Sequence, residues 1–351
     1  MNKKDKKKFK RKNIRLKNVS LDDINNFEDE EVVEEKRAAQ KSLEKGEKSS
    51  KSDLNLKLAR VIEVLSNNRC LVKYSDQTIS CVIGGRLKQI SHNTRSILAV
   101  GDLVHINLAN KNRVEEILPR QNSLSRFTED SFQREVIIAA NIDQVVITAA
   151  FSEPEFSIGL IDRYLCAAHI SQINPIICIN KSDLATSKQR SDLQFYCDCG
   201  YQVIFTSAEN QLGISELRNI LQGKKTVFSG KSGVGKSSLI NALQPNFNLK
   251  VSDVSDYSGK GRHTTTSARL LEWSFGGFLV DTPGIKTFTL HSGNKHSLAE
   301  VFPGFSELRK KCKFMNCSHT HEVDCAVKKA VEKENYPVAH YQSYLRLMES
   351  L

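Results

Sequence analysis

The segment Gly230-Lys231-Ser232-Gly233-Val234-Gly235-Lys236-Ser237 constrains this chain more than any other. It matches G-x-x-x-x-G-K-[ST], follows the apolar run Thr226 to Phe228, and opens a helix pattern with Leu239, Ile240 and Leu243 on one face. The glycines let the backbone curl tightly enough for its N–H groups, together with the helix N-terminus, to surround phosphate oxygens. Lys236 is then expected to reach the β- and γ-phosphates of a nucleotide, and the Ser237 hydroxyl to ligate Mg²⁺. Such a loop needs a strand leading in and a helix leading out, so the chain around it must be α/β. Apolar runs over residues 143–150, 175–180, 201–206, 226–230 and 277–281 supply parallel strands, each ending in polar or glycine residues where loops begin.

Three other strand ends carry chemistry. Asp281-Thr282-Pro283-Gly284 offers a carboxylate able to hold the second shell of Mg²⁺ and a glycine N–H free to meet a γ-phosphate. Asn180-Lys181-Ser182-Asp183 follows the run 175–180. A carboxylate accepts two parallel donors well, and guanine presents N1–H and its 2-amino group side by side. Adenine lacks the amino group, so Asp183 would be left unpaired against ATP. Asn180 is expected to brace the loop and Lys181 to lie over the base. In Ser207-Ala208-Glu209 the Ala208 N–H would face guanine O6. Ras-like GTPases place the phosphate loop first and the base motif later. Here the base motif and the serine-alanine loop, at 180 and 207, precede the phosphate loop at 230 and the D-x-x-G at 281. A circular permutation explains this order, because the strands of a sheet can keep their places while the termini move.

The flanks differ from this centre. Residues 56–121 show about five short alternating segments punctuated by Asn67-Asn68, Ser75-Asp76, Gly84-Gly85 and Gly101-Asp102, a small all-β domain whose expected form is an OB barrel. Residues 1–54 carry a basic run, an acidic run and a Lys/Ser/Glu stretch, too charged to offset their ordering entropy, so a disordered tail is expected. Lys plus Arg exceed Asp plus Glu by 51 to 40, and a net charge of +11 favours an anionic macromolecule as partner, nucleic acid before a membrane. No stretch reaches the roughly 18 apolar residues of a spanning helix. The best candidate, residues 136–150, is broken by Asn141, Asp143 and Gln144. No apolar segment follows the Lys-rich start, so it does not read as a secretory signal, and a cytoplasmic protein without a membrane partner is expected.

Near the C-terminus Cys312, Cys317, His319 and Cys325 are separated by four, one and five residues. Three thiolates and an imidazole suit tetrahedral Zn²⁺, and four protein ligands leave no open position, so the site would be structural. His321 competes for the histidine place. Cys197 and Cys199 have no further partner nearby in sequence and are not expected to ligate. The expected division is 1–54 tail, 55–121 barrel, 122–290 nucleotide domain and 291–351 zinc-binding domain.

Asn180 to Asp183, Gly230 to Ser238, Gly261-Arg262-His263-Thr264-Thr265-Thr266, Asp281 to Gly284 and the Cys312 to Cys325 cluster together resemble the bacterial circularly permuted GTPases of small-subunit ribosome biogenesis, the YjeQ/EngC group. The likeness covers about residues 55–351. Lys231 stands where the group usually has glutamine, outside the required Gly, Lys and Ser positions. The resemblance implies a multidomain fold: an OB-type barrel that binds RNA, a circularly permuted P-loop α/β GTPase domain, and a mostly helical zinc-binding C-terminal domain. It implies a GTP-hydrolysing factor, expected to be a monomer, that binds the 30S subunit and its 16S rRNA late in maturation and is stimulated by the subunit. It adds Lys231, Ser232, Gly233, Val234 and Ser238 to the GTP contacts and selects His319 over His321 for zinc.

Residues 261–266 occupy the place of switch I, where a threonine hydroxyl would ligate Mg²⁺ with the γ-phosphate present. The resemblance favours Thr265, though three adjacent threonines leave the register open. Ras-like enzymes put a glutamine after the D-x-x-G glycine to orient the attacking water; here Ile285 stands there and cannot do so. His263 is the candidate to hold that water or take its proton, a role the resemblance supports, and an rRNA contact is its other reading. The rival to an enzyme is an RNA-binding, ribosome-associated protein that uses nucleotide as a structural ligand.

Overall fold

Alternating apolar residues in the first part of the chain close into a barrel. The computed structural model describes residues 56–65, 68–85, 87, 97–109, 112–127, 135–249, 268–281, 290 and 292–351. The charged tail, the segment with His263 and Thr265, and Gly284 with Ile285 lie outside the described residues. Strands β1 (Lys57–Leu65), β2 (Arg69–Tyr74), β3 (Gln77–Ile83), β4 (Leu103–Asn107) and β5 (Arg113–Ile117) pair in the order β1-β2-β3-β5-β4, and β4 returns to β1. Only β3 and β5 run parallel within this ring, the OB arrangement. Ala59, Val61, Cys70, Val72, Cys81, Val104, Ile106 and Val114 fill its interior.

A hairpin of β6 (Ser123–Phe127) and β7 (Glu135–Ala140) then leads into β8 (Gln144–Ala150). The hairpin is a departure from the sequence reading, which has no strands between 122 and 140. The apolar run 136–150 is two strands, and the polar residues that interrupt it are bonding residues. Asn141 turns with φ 55, its amide accepting from the Gln121 N–H at 2.9 Å and donating to the Gly101 carbonyl at 3.2 Å. Asp143 accepts from the Lys225 N–H at 2.7 Å, and buried Gln144 donates to Thr226 Oγ1 at 3.0 Å. These side chains fix the register of β8 against β11 (Lys225–Ser229).

The main sheet contains β9 (Asn174–Asn180), β10 (Gln202–Phe205), β12 (Arg269–Glu272) and β13 (Phe278–Asp281) in the order β10-β9-β8-β11-β13-β12. All are parallel except β12, which is antiparallel to β13. The chain builds outward from β8 to β10, then returns to β11 and builds the other side. The direction therefore reverses between β8 and β11, and a crevice opens beyond their C-terminal ends, where open α/β sheets hold ligands. Sheet and barrel are continuous: Glu63 of β1 faces Arg269 of β12, and their side chains meet at 2.8 Å.

Both faces of this sheet are covered, which is why its strands read as continuous apolar runs. Val146, Ile176, Cys178 and Ile204 meet helices α2 (Ile214–Leu221) and α3 (Lys236–Leu243). Ile147, Ile177 and Ile179 point the other way, toward α1 (Ile158–Ile170). The cysteine-bearing region continues that second core rather than making its own: Phe302, Phe305, Tyr336 and Tyr344 belong to the same cluster as Ile161 and Leu165 of α1. Its two longer helices are α4 (Ala326–Glu332) and α5 (Val338–Ser350). No helix among the described residues is long and apolar enough to cross a membrane.

The junction between barrel and sheet rests on a buried ion pair. Asp102, fully buried, receives Arg120 Nε at 2.7 Å and Nη2 at 2.8 Å, and also accepts from the Ala99 N–H at 2.8 Å. Removing one partner of such a pair strands a buried charge. Arg120→Ala is therefore expected to lower unfolding free energy by about 3 kcal/mol, read as a lower midpoint in urea denaturation. A midpoint equal to that of the wild type would show the junction tolerates an unpaired Asp102.

Candidate functional site

The phosphate loop spans the crevice between β8 and β11. Gly230 lies so close to β8 that an added Cβ would stand 2.1 Å from the Thr148 carbonyl oxygen, and its φ is 145°. Gly235 precedes α3 with φ 88°, and a Cβ there would meet Asn180 Nδ2 at 2.3 Å. Both positions exclude any residue larger than glycine. Helix α3 starts at Lys236 after Gly235, with no N-cap side chain accepting from its first turn. Lys236 Nζ donates to the Gly230 and Lys231 carbonyls at 2.8 and 2.7 Å, and burial lowers its pKa. Ser237 and Ser238 are half-buried on the first turn, Val234 is buried, and Lys231 and Ser232 are exposed.

The base motif meets this loop through one side chain. Asn180, buried at the end of β9, donates from Nδ2 to the Val234 carbonyl at 2.9 Å. Its Oδ1 accepts from the Ala208 N–H at 3.2 Å and from Thr206 Oγ1 at 3.4 Å. Lys181 takes a left-handed conformation, φ 55°, which turns the chain into the 3-10 turn Ser182–Leu184 and leaves Asp183 exposed. The Lys181 ammonium donates to the Glu153 carbonyl at 2.7 Å. Ser182 is tied down twice: its N–H donates to the Thr206 carbonyl at 2.9 Å, and its carbonyl accepts from Arg190 at 2.8 Å. Arg190 also lies over the Phe205 ring, 4.9 Å from its centroid. Arg190 is a supporting residue that sequence reasoning missed, since no motif marks it.

Ser207 is buried and its Oγ accepts from the Asn210 N–H at 3.2 Å, closing the loop that carries Ala208. Asp281, half-buried at the end of β13, has a raised carboxyl pKa because burial disfavours its charge, an effect Arg269 opposes. The arrangement gathers the glycine loop and its lysine on one side and the exposed Asp183 carboxylate on the other, with the Asn180 amide between.

A second centre lies in the C-terminal region. Among the described residues, Cys312, Cys317, His319 and Cys325 bring four ligand atoms within 4.8 Å of one another. Cys312 Sγ is 3.5 Å from His319 Nδ1 and 4.0 Å from Cys325 Sγ, and His319 Nδ1 is 3.4 Å from Cys325 Sγ. A tetrahedron with Zn–S near 2.3 Å and Zn–N near 2.0 Å has edges of about 3.8 Å between sulfurs and about 3.5 Å from sulfur to nitrogen. The donor set fits zinc. His321 is exposed and bonds Thr320 Oγ1 instead, and Cys197 and Cys199 stand outside the group. The loop is held from α5: Tyr341 donates to the His319 carbonyl at 2.8 Å and Tyr344 to the Ser318 carbonyl at 2.7 Å.

These features have counterparts in known proteins. The family model described as RsgA GTPase matches residues 117–291. The chain is 37% identical over 286 residues to a protein of Phocaeicola vulgatus described as small ribosomal subunit biogenesis GTPase RsgA, covering 80% of this chain and 92% of that one. A protein of the same description from Flavobacterium psychrophilum is 36% identical over 280 residues, covering 77% and 86%. Among solved structures, YjeQ from Thermotoga maritima aligns with a TM-score of 0.69 at 30% identity, covering 84% of this chain and 98% of that one. YloQ, described as a circularly permuted GTPase, aligns with a TM-score of 0.66 at 29% identity, covering 86% and 96%.

The Asn180 geometry yields a direct test. Asn180→Ala deletes the hydrogen bonds to Val234 and Ala208 and leaves a buried carbonyl without its donor. Two bonds at about 1 kcal/mol each predict guanine-nucleotide affinity lower by roughly 30-fold, read by titrating a fluorescent GDP analogue. Unchanged affinity would separate the loops' placement from this amide.

Proposed function

This chain belongs to the RsgA GTPase family, and we propose that it hydrolyses GTP while engaged with the 30S ribosomal subunit late in that subunit's assembly. The observation that supports this most directly is the meeting of phosphate loop, base motif and serine-alanine loop at Asn180, in permuted chain order. GTP would lie with its base against Asp183, under the Lys181 stem and the Ala208 N–H. Its phosphates would lie in the loop Gly230 to Ser238. Ser237 and Thr265 would hold the Mg²⁺ that accompanies GTP, with Asp281 behind it; bound there, the ion offsets charge on the β- and γ-oxygens. Gly284 would meet the γ-phosphate. Lys236 would leave its loop carbonyls for the phosphate oxygens, a short move for a flexible stem.

His263 is the residue proposed to position the attacking water, since the Ile285 side chain offers no polar atom. The barrel of residues 55–121 and the region 291–351 would flank the GTPase unit, residues 122–290, and grip 16S rRNA, with one zinc held structurally by Cys312, Cys317, His319 and Cys325. A monomer working in the cytoplasm, where it would meet assembling subunits, completes the reading. A nucleotide-stabilised RNA-binding protein without turnover is the rival that the absence of a glutamine at 285 favours.

GTP hydrolysis measured with purified 30S, with 50S and with neither separates the two. Turnover raised by 30S alone is expected, and no turnover under any condition would sink the enzymatic reading. In the same assay His263→Ala should lower the stimulated rate by roughly 10²–10⁴-fold while leaving GTP affinity nearly unchanged. Full stimulation of that variant would assign the role elsewhere.

Metal analysis should find one zinc per chain. Cys317→Ser should abolish it and loosen the C-terminal region toward proteolysis, with nucleotide affinity largely intact. Freshly purified wild-type protein without zinc would contradict the proposed ligand set.

A further inference from the structure

A buried polar pair joins the region of the metal cluster to the region of the phosphate loop, and neither site accounts for it. Asp162 on α1 is fully buried, and His340 on α5 is 2% exposed. His340 Nδ1–H donates to both carboxylate oxygens, each at 3.1 Å, and the Tyr196 hydroxyl donates to Oδ1 at 2.9 Å. Phe195 stacks on the imidazole with centroids 3.9 Å apart, and Tyr196 meets it edge-on at 5.1 Å. A carboxylate in such surroundings is costly unless its partners are in place. Apolar neighbours in this interface, such as Phe302 and Phe305, can slide on one another. A carboxylate shared between an imidazole and a phenol allows far less freedom.

The position of the pair gives it a further use. The first turns of α1, with Leu160, Ile161 and Tyr164, line a small space behind the phosphate loop together with Thr148 and Val234. The residues beside His340 face the other way along the chain of contacts: Tyr341 and Tyr344 hold the carbonyls of the metal-cluster loop. The two helices lie close, with Gly159 against Ser343. One helix thus borders the phosphate loop, the other grips the cysteine loop, and Asp162–His340 is a hydrogen-bonded link between them.

We propose that this pair is the joint through which contact of the ribosomal subunit with the cysteine-bearing region is transmitted to the phosphate loop, and, reciprocally, through which bound nucleotide sets the affinity for the subunit. This rests on the ribosome-linked GTPase reading. Because linkage is reciprocal, the joint can be read without kinetics. The measurement is 30S affinity of the full chain loaded with a non-hydrolysable GTP analogue, divided by its affinity loaded with GDP. In wild type this ratio should exceed one. In His340→Gln and in Asp162→Asn it should fall at least fivefold or collapse to one, the low end of ordinary allosteric coupling. The double variant should fall no further than either single one. Zinc content and nucleotide affinity of the free protein should stay within twofold of wild type.

A purely structural pair would weaken 30S binding equally in both nucleotide states and leave the ratio unchanged; that result in folded, zinc-loaded variants overturns the joint alone. A wild-type ratio of one overturns nucleotide-gated subunit binding and the joint with it. If either variant loses its zinc or its fold, Tyr196→Phe removes just the hydroxyl donor to Asp162 and should lower the ratio more than twofold, an unchanged ratio counting against the proposal.

Discussion

The Asn180 carboxamide spans three loops that arrive from distant parts of the chain, and the candidate site depends on it. Its Nδ2 donates to Val234, and its Oδ1 accepts from Ala208. The group is buried, so each of these bonds stands in place of water that cannot reach it. The neighbouring constraints follow from its position. Gly235 must lack a Cβ because Asn180 Nδ2 occupies that space, and Lys181 must turn left-handed so that the turn carrying Asp183 starts directly after the amide. Arg190 and Thr206 then hold Ser182 from two sides, leaving the Asp183 carboxylate outside and accessible. A permuted chain particularly needs this bridge, because the base half of the sheet, β8 to β10, precedes the phosphate half in sequence and is joined to it in the sheet by the β8–β11 ladder.

Much of this was legible in the residues. The phosphate loop, the base motif and the permuted order are local patterns, and local patterns survive reading in one dimension. The parallel strands read as apolar runs because alternate residues, Ile176 against Ile177 for instance, face different cores that are both dry. The cysteine cluster was visible from spacing, while His319 and His321 could be told apart only by resemblance until burial separated them. Other features left no local trace. The hairpin β6–β7 borders an apolar run that continues into β8, so the break at Asn141 reads as an interruption rather than a turn. Arg120 with Asp102, and Asp162 with His340, are single residues far apart in sequence, ordinary in their own surroundings. Such pairs are products of topology, and no periodicity announces them.

The sharing of one core between α1 and the C-terminal region bears on how the chain is made. Helix α1 and strands β8 to β10 are synthesised well before Phe302, Phe305 and Tyr344, which complete the apolar cluster on their face of the sheet. Through that interval the emerging polypeptide presents an incomplete apolar surface and a carboxylate, Asp162, that has Tyr196 but not His340. The contacts that close this face are among the longest in sequence separation in the fold, and such contacts form slowly. The sheet half built from β8 to β10 therefore cannot reach its final packing until α5 has left the peptide tunnel. An incomplete chain would carry its phosphate loop yet expose the sticky face that draws chaperones or leads to aggregation. The core beside α1 therefore closes only when residues made roughly 140 to 180 positions later pack against it.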